Sequence, residues 1–157
     1  MGIKLVLVSV LGFLGAELLL AEETAVSYEV IELMTASSPS SSRSTEWQPG
    51  DGITLEVSGM EWLGDTLALS IRKGEVWLVE NALSENLEEI TYRLFASGLH
   101  EPLGLARDGE DLLVSQRAEI TRLEDSDGDG VADAYLTECD GWNVSGNYHA
   151  YTYGPER

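Results

Sequence analysis

Residues 59–80 read GMEWLGDTLALSIRKGEVWLVE, and residues 104–124 read GLARDGEDLLVSQRAEITRLE. Laid over one another, they pair Gly59 with Gly104, Gly64 with Gly109, Leu67 with Leu112, Ser70 with Ser115 and Arg72 with Arg117 at an offset of 45 residues. Glu75 pairs with Glu119 after one deletion. Downstream, ITYRLFASGL from Ile90 lies over ADAYLTECDGW from Ala132, pairing Tyr92 with Tyr135 and Gly98 with Gly141. The whole unit therefore occurs twice.

Beyond Trp47 the texture is one of short apolar runs broken by Gly, Asp and Asn, with no sustained 3.6-residue period. That texture predicts an all-β fold. A repeat of about 40–50 residues made of short strands is the mark of a β-propeller, each unit being a four-stranded blade. The first strands are expected near Gly59 and Gly104. Gly64-Asp65 and Asp108-Gly109 supply turns, and Thr66–Ser70 and Asp111–Ser115 run mid-blade. Glu75–Val79 and Glu119–Leu123 are expected as third strands, and Ile90–Ala96 and Ala132–Glu138 as outer fourth strands. The alternative is a β-sandwich with accidental likeness between its halves.

Two blades and the start of a third, Tyr148–Arg157, fall short of the four to eight blades or so that a closed propeller needs. The expectation is an incomplete propeller, the opening blades of a longer one, over 47–157. Residues 22–46 read as a strand, Val26–Leu33, followed by a Ser/Pro-rich linker around Thr35–Ser42. Residues 1–21 have the layout of a signal peptide: Lys4, then a run from Leu5 to Leu20 that is apolar save for Ser9 and Glu17, and Ala21 before Glu22-Glu23. An uncleaved anchor is the second choice, since the run is short and carries a glutamate. The chain is expected to be exported, to the periplasm or the outside of the cell.

Asp and Glu outnumber Lys and Arg by 28 to 9, a net charge of -19. Such a surface repels phosphate backbones and anionic membranes, so nucleic acid is excluded as a partner, as is membrane binding beyond the leader. Divalent cations, cationic partners and neutral solutes remain. Cys139 is the only cysteine, so neither an intrachain disulfide nor a cysteine zinc site can be built, and a small buried residue is expected there. Asn143-Val144-Ser145 fits a glycosylation acceptor, a pattern too short to carry weight.

The sharpest local motif is DSDGDGVAD, residues 125–133. It sets Asp125, Asp127, Asp129 and Asp133 at loop positions 1, 3, 5 and 9, with Gly130 at the sharp turn and Val131 able to offer its carbonyl. Calcium takes six to eight oxygens, and this spacing wraps them round one centre. Position 12 is Leu136 rather than a bidentate Glu, and no flanking helices are predicted, so an EF-hand domain is excluded. A helix-free calcium loop between strands is the expectation, with a solvated acidic turn as its alternative.

The run GLHEPLGLARDGEDLLVSQRAEITRLEDSDGDGVADAYLTECDGWNVSGNYHAYTYGPER, with its GL-x-x-P-x-GLA opening, VSQR segment, acidic loop and NYHAYTYGP, resembles the exported glucose/sorbosone dehydrogenase-like propellers. The resemblance covers most of Gly59–Arg157. It implies oxidation of a sugar or alcohol with pyrroloquinoline quinone (PQQ) on a six-bladed propeller beside calcium, and electrons passing to a c-type cytochrome domain or protein. It further implies His149 as the base that takes the substrate hydroxyl proton, a role suited to an imidazole near neutrality. Arg117 becomes a candidate for a cofactor anion, with a structural role suggested by its mate Arg72. The rest of the cofactor site falls in blades outside this stretch, so these residues alone are expected to be inactive. The alternative is a non-catalytic, calcium-stabilised propeller that binds glycans or proteins, with Trp47, Trp62, Trp77 and Trp142 lining a sugar surface or packing between blades. His100 is expected to be a loop residue.

Overall fold

The computed structural model describes residues 31–33, 56–147 and 149–155. The chain divides into 1–31 and 32–157, and apart from Ile31 the described residues belong to the second unit. The signal segment, the linker, Trp47, Tyr148 and Arg157 lie outside them. Of the expected strand Val26–Leu33 only 31–33 are described, and they are not strand.

The fold is all-β. One antiparallel sheet has the order β1(Val57–Leu63), β2(Thr66–Ile71), β3(Glu75–Glu80), β4(Thr91–Ala96). A second has the order β5(Leu105–Asp108), β6(Asp111–Ser115), β7(Ile120–Glu124), β8(Ala134–Cys139). Six of these strands lie within two residues of their predicted bounds. The largest difference is β8, which starts at Ala134 rather than Ala132. The physical reason is that Ala132 N donates to Phe95 O and Asp133 N to Glu124 O, at 2.8 Å each, so both amides are engaged outside the ladder.

The pairing shows that the repeat is structural. Val79 opposes Tyr92 and Leu123 opposes Tyr135; Val76 opposes Ala96 and Ile120 opposes Cys139. Each sheet has an irregularity at the same repeat position near the start of its third strand, between Val76 and Trp77 and between Ile120 and Thr121. Tight turns at Gly64 and Gly109, with φ of +63° and +68°, link the first two strands of each sheet.

Alternation along the strands gives each sheet two faces. In the first sheet Ala68, Val76, Leu78 and Ala96 share one face, while Leu67, Leu69, Ile71, Trp77 and Val79 share the other. The first set forms one core with Leu105, Leu112, Val114 and Leu123 of the second sheet. Each large aliphatic side chain buried there contributes on the order of 1.5–3 kcal/mol. In the repeat, Leu112 and Leu123 correspond to Leu67 and Val79. Unlike faces therefore meet: the sheets stack head to tail, as in a cyclic or open-ended array, whereas a two-fold sandwich would join like faces.

The remaining face of the second sheet carries Leu113, Ile120, Arg122, Leu136 and Cys139. Leu136 is 45% exposed. Cys139, expected to be buried, is exposed because it stands on this face, whereas its mate Ala96 is 2% exposed between the sheets.

Candidate functional site

The loop joining β7 to β8 is the acidic motif. Gly128 and Gly130 take φ of +76° and +83°, conformations that cost glycine little, and they let the loop turn back on itself. Asp125 organises the turn: its Oδ1 accepts from Gly128 N and its Oδ2 from Gly130 N, both at 2.8 Å. Asp133 closes it from the far end, accepting from Ser126 N at 2.8 Å and Ser126 Oγ at 2.7 Å. The Ser126 hydroxyl bond, then the Ser126 amide, hold the Asp133 carboxyl below the usual carboxylate range. Asp125, Asp127 and Asp133 each bring an oxygen within 4.8 Å of the others.

That is an arrangement of hard oxygen donors suited to a divalent cation. The other two residues of the predicted set stand differently. Asp129 Oδ1 accepts from Val131 N at 2.8 Å, and the Asp129 carbonyl accepts from Arg93 Nη1 at 2.7 Å. Val131 is exposed at the tip. Arg93 also pairs with Glu80, so it ties the loop to the third and fourth strands of the first sheet.

Arg117 lies elsewhere, at the exit of β6, with only 12% of its side chain exposed. Its Nη1 meets Glu101 Oε2 at 2.5 Å, its Nη2 donates to Asn147 O at 2.8 Å, and its guanidinium lies 5.6 Å from the centre of the Tyr151 ring. The mate Arg72 has the same kind of company. Its Nε meets Glu56 Oε2 at 2.6 Å and its Nη1 meets Glu101 Oε1 at 3.3 Å. Glu56 and Glu101 are themselves 45 residues apart, each three residues before the repeat glycine. Each arginine thus holds the glutamate of its own unit, and Arg72 also holds that of the next. Neither Glu56 nor Glu101 was singled out from the sequence, although the offset that pairs Arg72 with Arg117 pairs them too.

His149 is exposed on a turn, its N donating to Asn147 Oδ1 at 3.0 Å. Asn147 therefore links it to Arg117, and the two residues that the resemblance singles out share one neighbour. His100, in a loop, accepts at its carbonyl from Arg117 N at 3.0 Å. Trp77 is in the core and donates to Glu75 Oε2 at 3.0 Å, Trp142 donates to Arg117 O at 3.1 Å, and Trp62 is 40% exposed on β1. No protein-family model, curated protein or solved structure matches the chain.

Proposed function

We propose that the chain is an exported, calcium-binding β-propeller segment whose sheets are successive blades, and that its work is recognition of a neutral glycan or a cationic protein partner. The observation that carries the calcium reading is the convergence of Asp125, Asp127 and Asp133 within 4.8 Å on glycine-turned backbone. Three carboxylates so close repel one another, and a cation between them removes that cost. Head-to-tail stacking of the sheets supports the blade reading, the leader supports export, and the net charge of -19 argues against anionic partners.

A dehydrogenase of the glucose/sorbosone type is the second reading, favoured by His149, an exposed turn residue of the type that serves as a general base. PQQ would supply a two-electron oxidant there. Arg117 does not fit as the receptor for its anionic groups: its Nη1 meets Glu101, its Nη2 donates to Asn147 O, and its Nε, which lacks a hydrogen-bond partner among the described residues, is buried away from any ligand.

Titration calorimetry of the metal-stripped full chain with calcium, then with PQQ, separates these readings. Calcium heat that disappears in Asp125→Asn with Asp133→Asn, without quinone heat, is the expected result. At calcium one hundredfold above its Kd, the folded state gains about 2.7 kcal/mol, read as a rise in Tm. Absence of calcium heat would overturn the calcium reading. Quinone binding, with dye reduction lost in His149→Ala, would establish the dehydrogenase.

A further inference from the structure

The outward face of the second sheet has a specific relation to the repeat. Its residues Leu113, Ile120 and Cys139 are the mates of Ala68, Val76 and Ala96, which in the first sheet are all buried against the second. Leu136 adds apolar surface beside them. Arg122 stands where the first sheet has Leu78, and is met by Asp108, Asp111 and Glu138 at 2.8, 2.9 and 3.0 Å. The face is therefore apolar round one compensated charge cluster.

Three further relations tie Tyr151–Pro155 to the second sheet. A Cβ on Gly59 would lie 2.7 Å from Gly104 Cα, and a Cβ on Gly104 would overlap the Gly154 carbonyl, 2.6 Å from its carbon. Ser58, bonded to Ser70 at 3.1 Å, reaches Pro102 O at 2.6 Å, and Ser115, the mate of Ser70, reaches Thr152 O at 3.4 Å. Arg72 reaches Glu101, and Arg117 lies over Tyr151. Pro102 and Thr152 each stand two residues before their glycine, and Glu101 and Tyr151 three before. Tyr151–Pro155 thus holds against the second unit the place that Glu101–Leu105 holds against the first.

From this we infer that the face bearing Leu113, Ile120, Leu136 and Cys139 is the docking surface for a third unit of the same repeat, whose innermost segment is Tyr151–Pro155. The inference rests on the blade reading above, and adds which residues are covered and by what. Head-to-tail stacking of a second copy of the chain does not supply the occupant. The face it would have to offer, Leu67, Leu69, Ile71, Trp77 and Val79, is at most 9% exposed in a core of its own against which Leu33 packs. The occupant brings the counterpart of Leu112, Val114 and Leu123.

Cys139, the sole cysteine, is a built-in reporter. The test compares its alkylation by a maleimide in the full chain and in the chain extended after Pro155 by a copy of residues 106–155 whose own cysteine is alanine, with hydrogen exchange reporting on the added amides. Rapid labelling of the unextended chain, with at least tenfold slower labelling and protected added amides in the extended one, is expected. Changing the added copy's counterparts of Leu112 and Leu123 to Asp should restore rapid labelling. Unchanged labelling beside a folded extension overturns the inference, and so does an extension that stays unprotected, because a face made for this repeat orders its occupant. Slow labelling of the unextended chain would overturn it in favour of a second copy. Calcium and quinone play no part in the readout, so failure of the functional reading leaves the labelling result intact.

Discussion

The two sheets share strand order, offset, glycine turns and the irregularity in the third strand, yet they differ in their faces and in their third loops. Among the described residues the first sheet has a core on both sides, while the second has one only. Between β3 and β4 the chain closes on its own polar groups: Asn81 Nδ2 donates to Glu89 O at 2.9 Å, and Asn86 Oδ1 accepts from Glu88 N at 3.2 Å ahead of the short 3-10 turn Leu87–Glu89. Between β7 and β8 it closes round carboxylates instead. Strand pairing is the constant of the repeat and loop chemistry its variable, so a functional site is to be sought where the loops diverge.

Paired substitutions at repeat-equivalent positions test the difference in faces most severely. Ala68→Asp sets a carboxylate at a site with no exposure between the sheets, and urea denaturation should show a loss of at least about 3 kcal/mol or outright unfolding. Leu113→Asp, at the equivalent place on the open face, should cost under about 1 kcal/mol. Equal losses would mean that the second sheet is as covered as the first. A smaller contrast separates stacking from turn geometry. Gly104→Ala drives a methyl into the Gly154 backbone, which cannot swing aside as a side chain does, and should cost about 2–3 kcal/mol. Gly109→Ala has open space around it and meets only the penalty of a φ of +68°, about 1 kcal/mol. If the order were reversed, Gly104 would not be a packing residue.

Much of this was legible because the repeat was. The offset located strands wherever turn glycines and alternating apolar residues recur, as at Asp111–Ser115, whose predicted and observed bounds coincide. Cys139 was misplaced because apolar character says how readily a residue is buried, not which face finds a partner. The calcium motif was visible as spacing, but spacing weighs Asp129 like Asp125. Only the folded loop shows Asp129 engaging Val131 N and Arg93 while three other carboxylates converge. Arg117 was seen without its partner, since an ion pair across 16 residues leaves no local pattern.

That ion pair gives the finest test of likeness between the units. Glu56 meets one arginine, Arg72, whereas its counterpart Glu101 meets two, Arg117 and Arg72. The Arg117 hydrogen bond, reinforced by the charges of Arg117, His100 and Arg72, holds the Glu101 carboxyl below its ordinary value of 4.5, against a smaller effect of burial. Glu56 is lowered in the same way, chiefly by its hydrogen bond from Arg72. A carboxylate with a depressed folded pKa stabilises the fold fully above its unfolded pKa, and that contribution is lost as pH falls through the folded value. Both groups are solvent-accessible, so salt weakens the effect. Thermal midpoints followed from pH 7 to pH 3 should therefore show Glu101→Gln below the parent near neutrality, with the gap narrowing once pH falls below about 4.5 and closing when the parent carboxyl is itself protonated. Glu56→Gln should show the same profile with a smaller gap. A gap for Glu101→Gln that did not narrow at all between pH 4.5 and pH 3 would make its role one of shape rather than charge, and equal gaps for the two variants would mean that the bond from Arg72 to Glu101 adds nothing to the joint between the units.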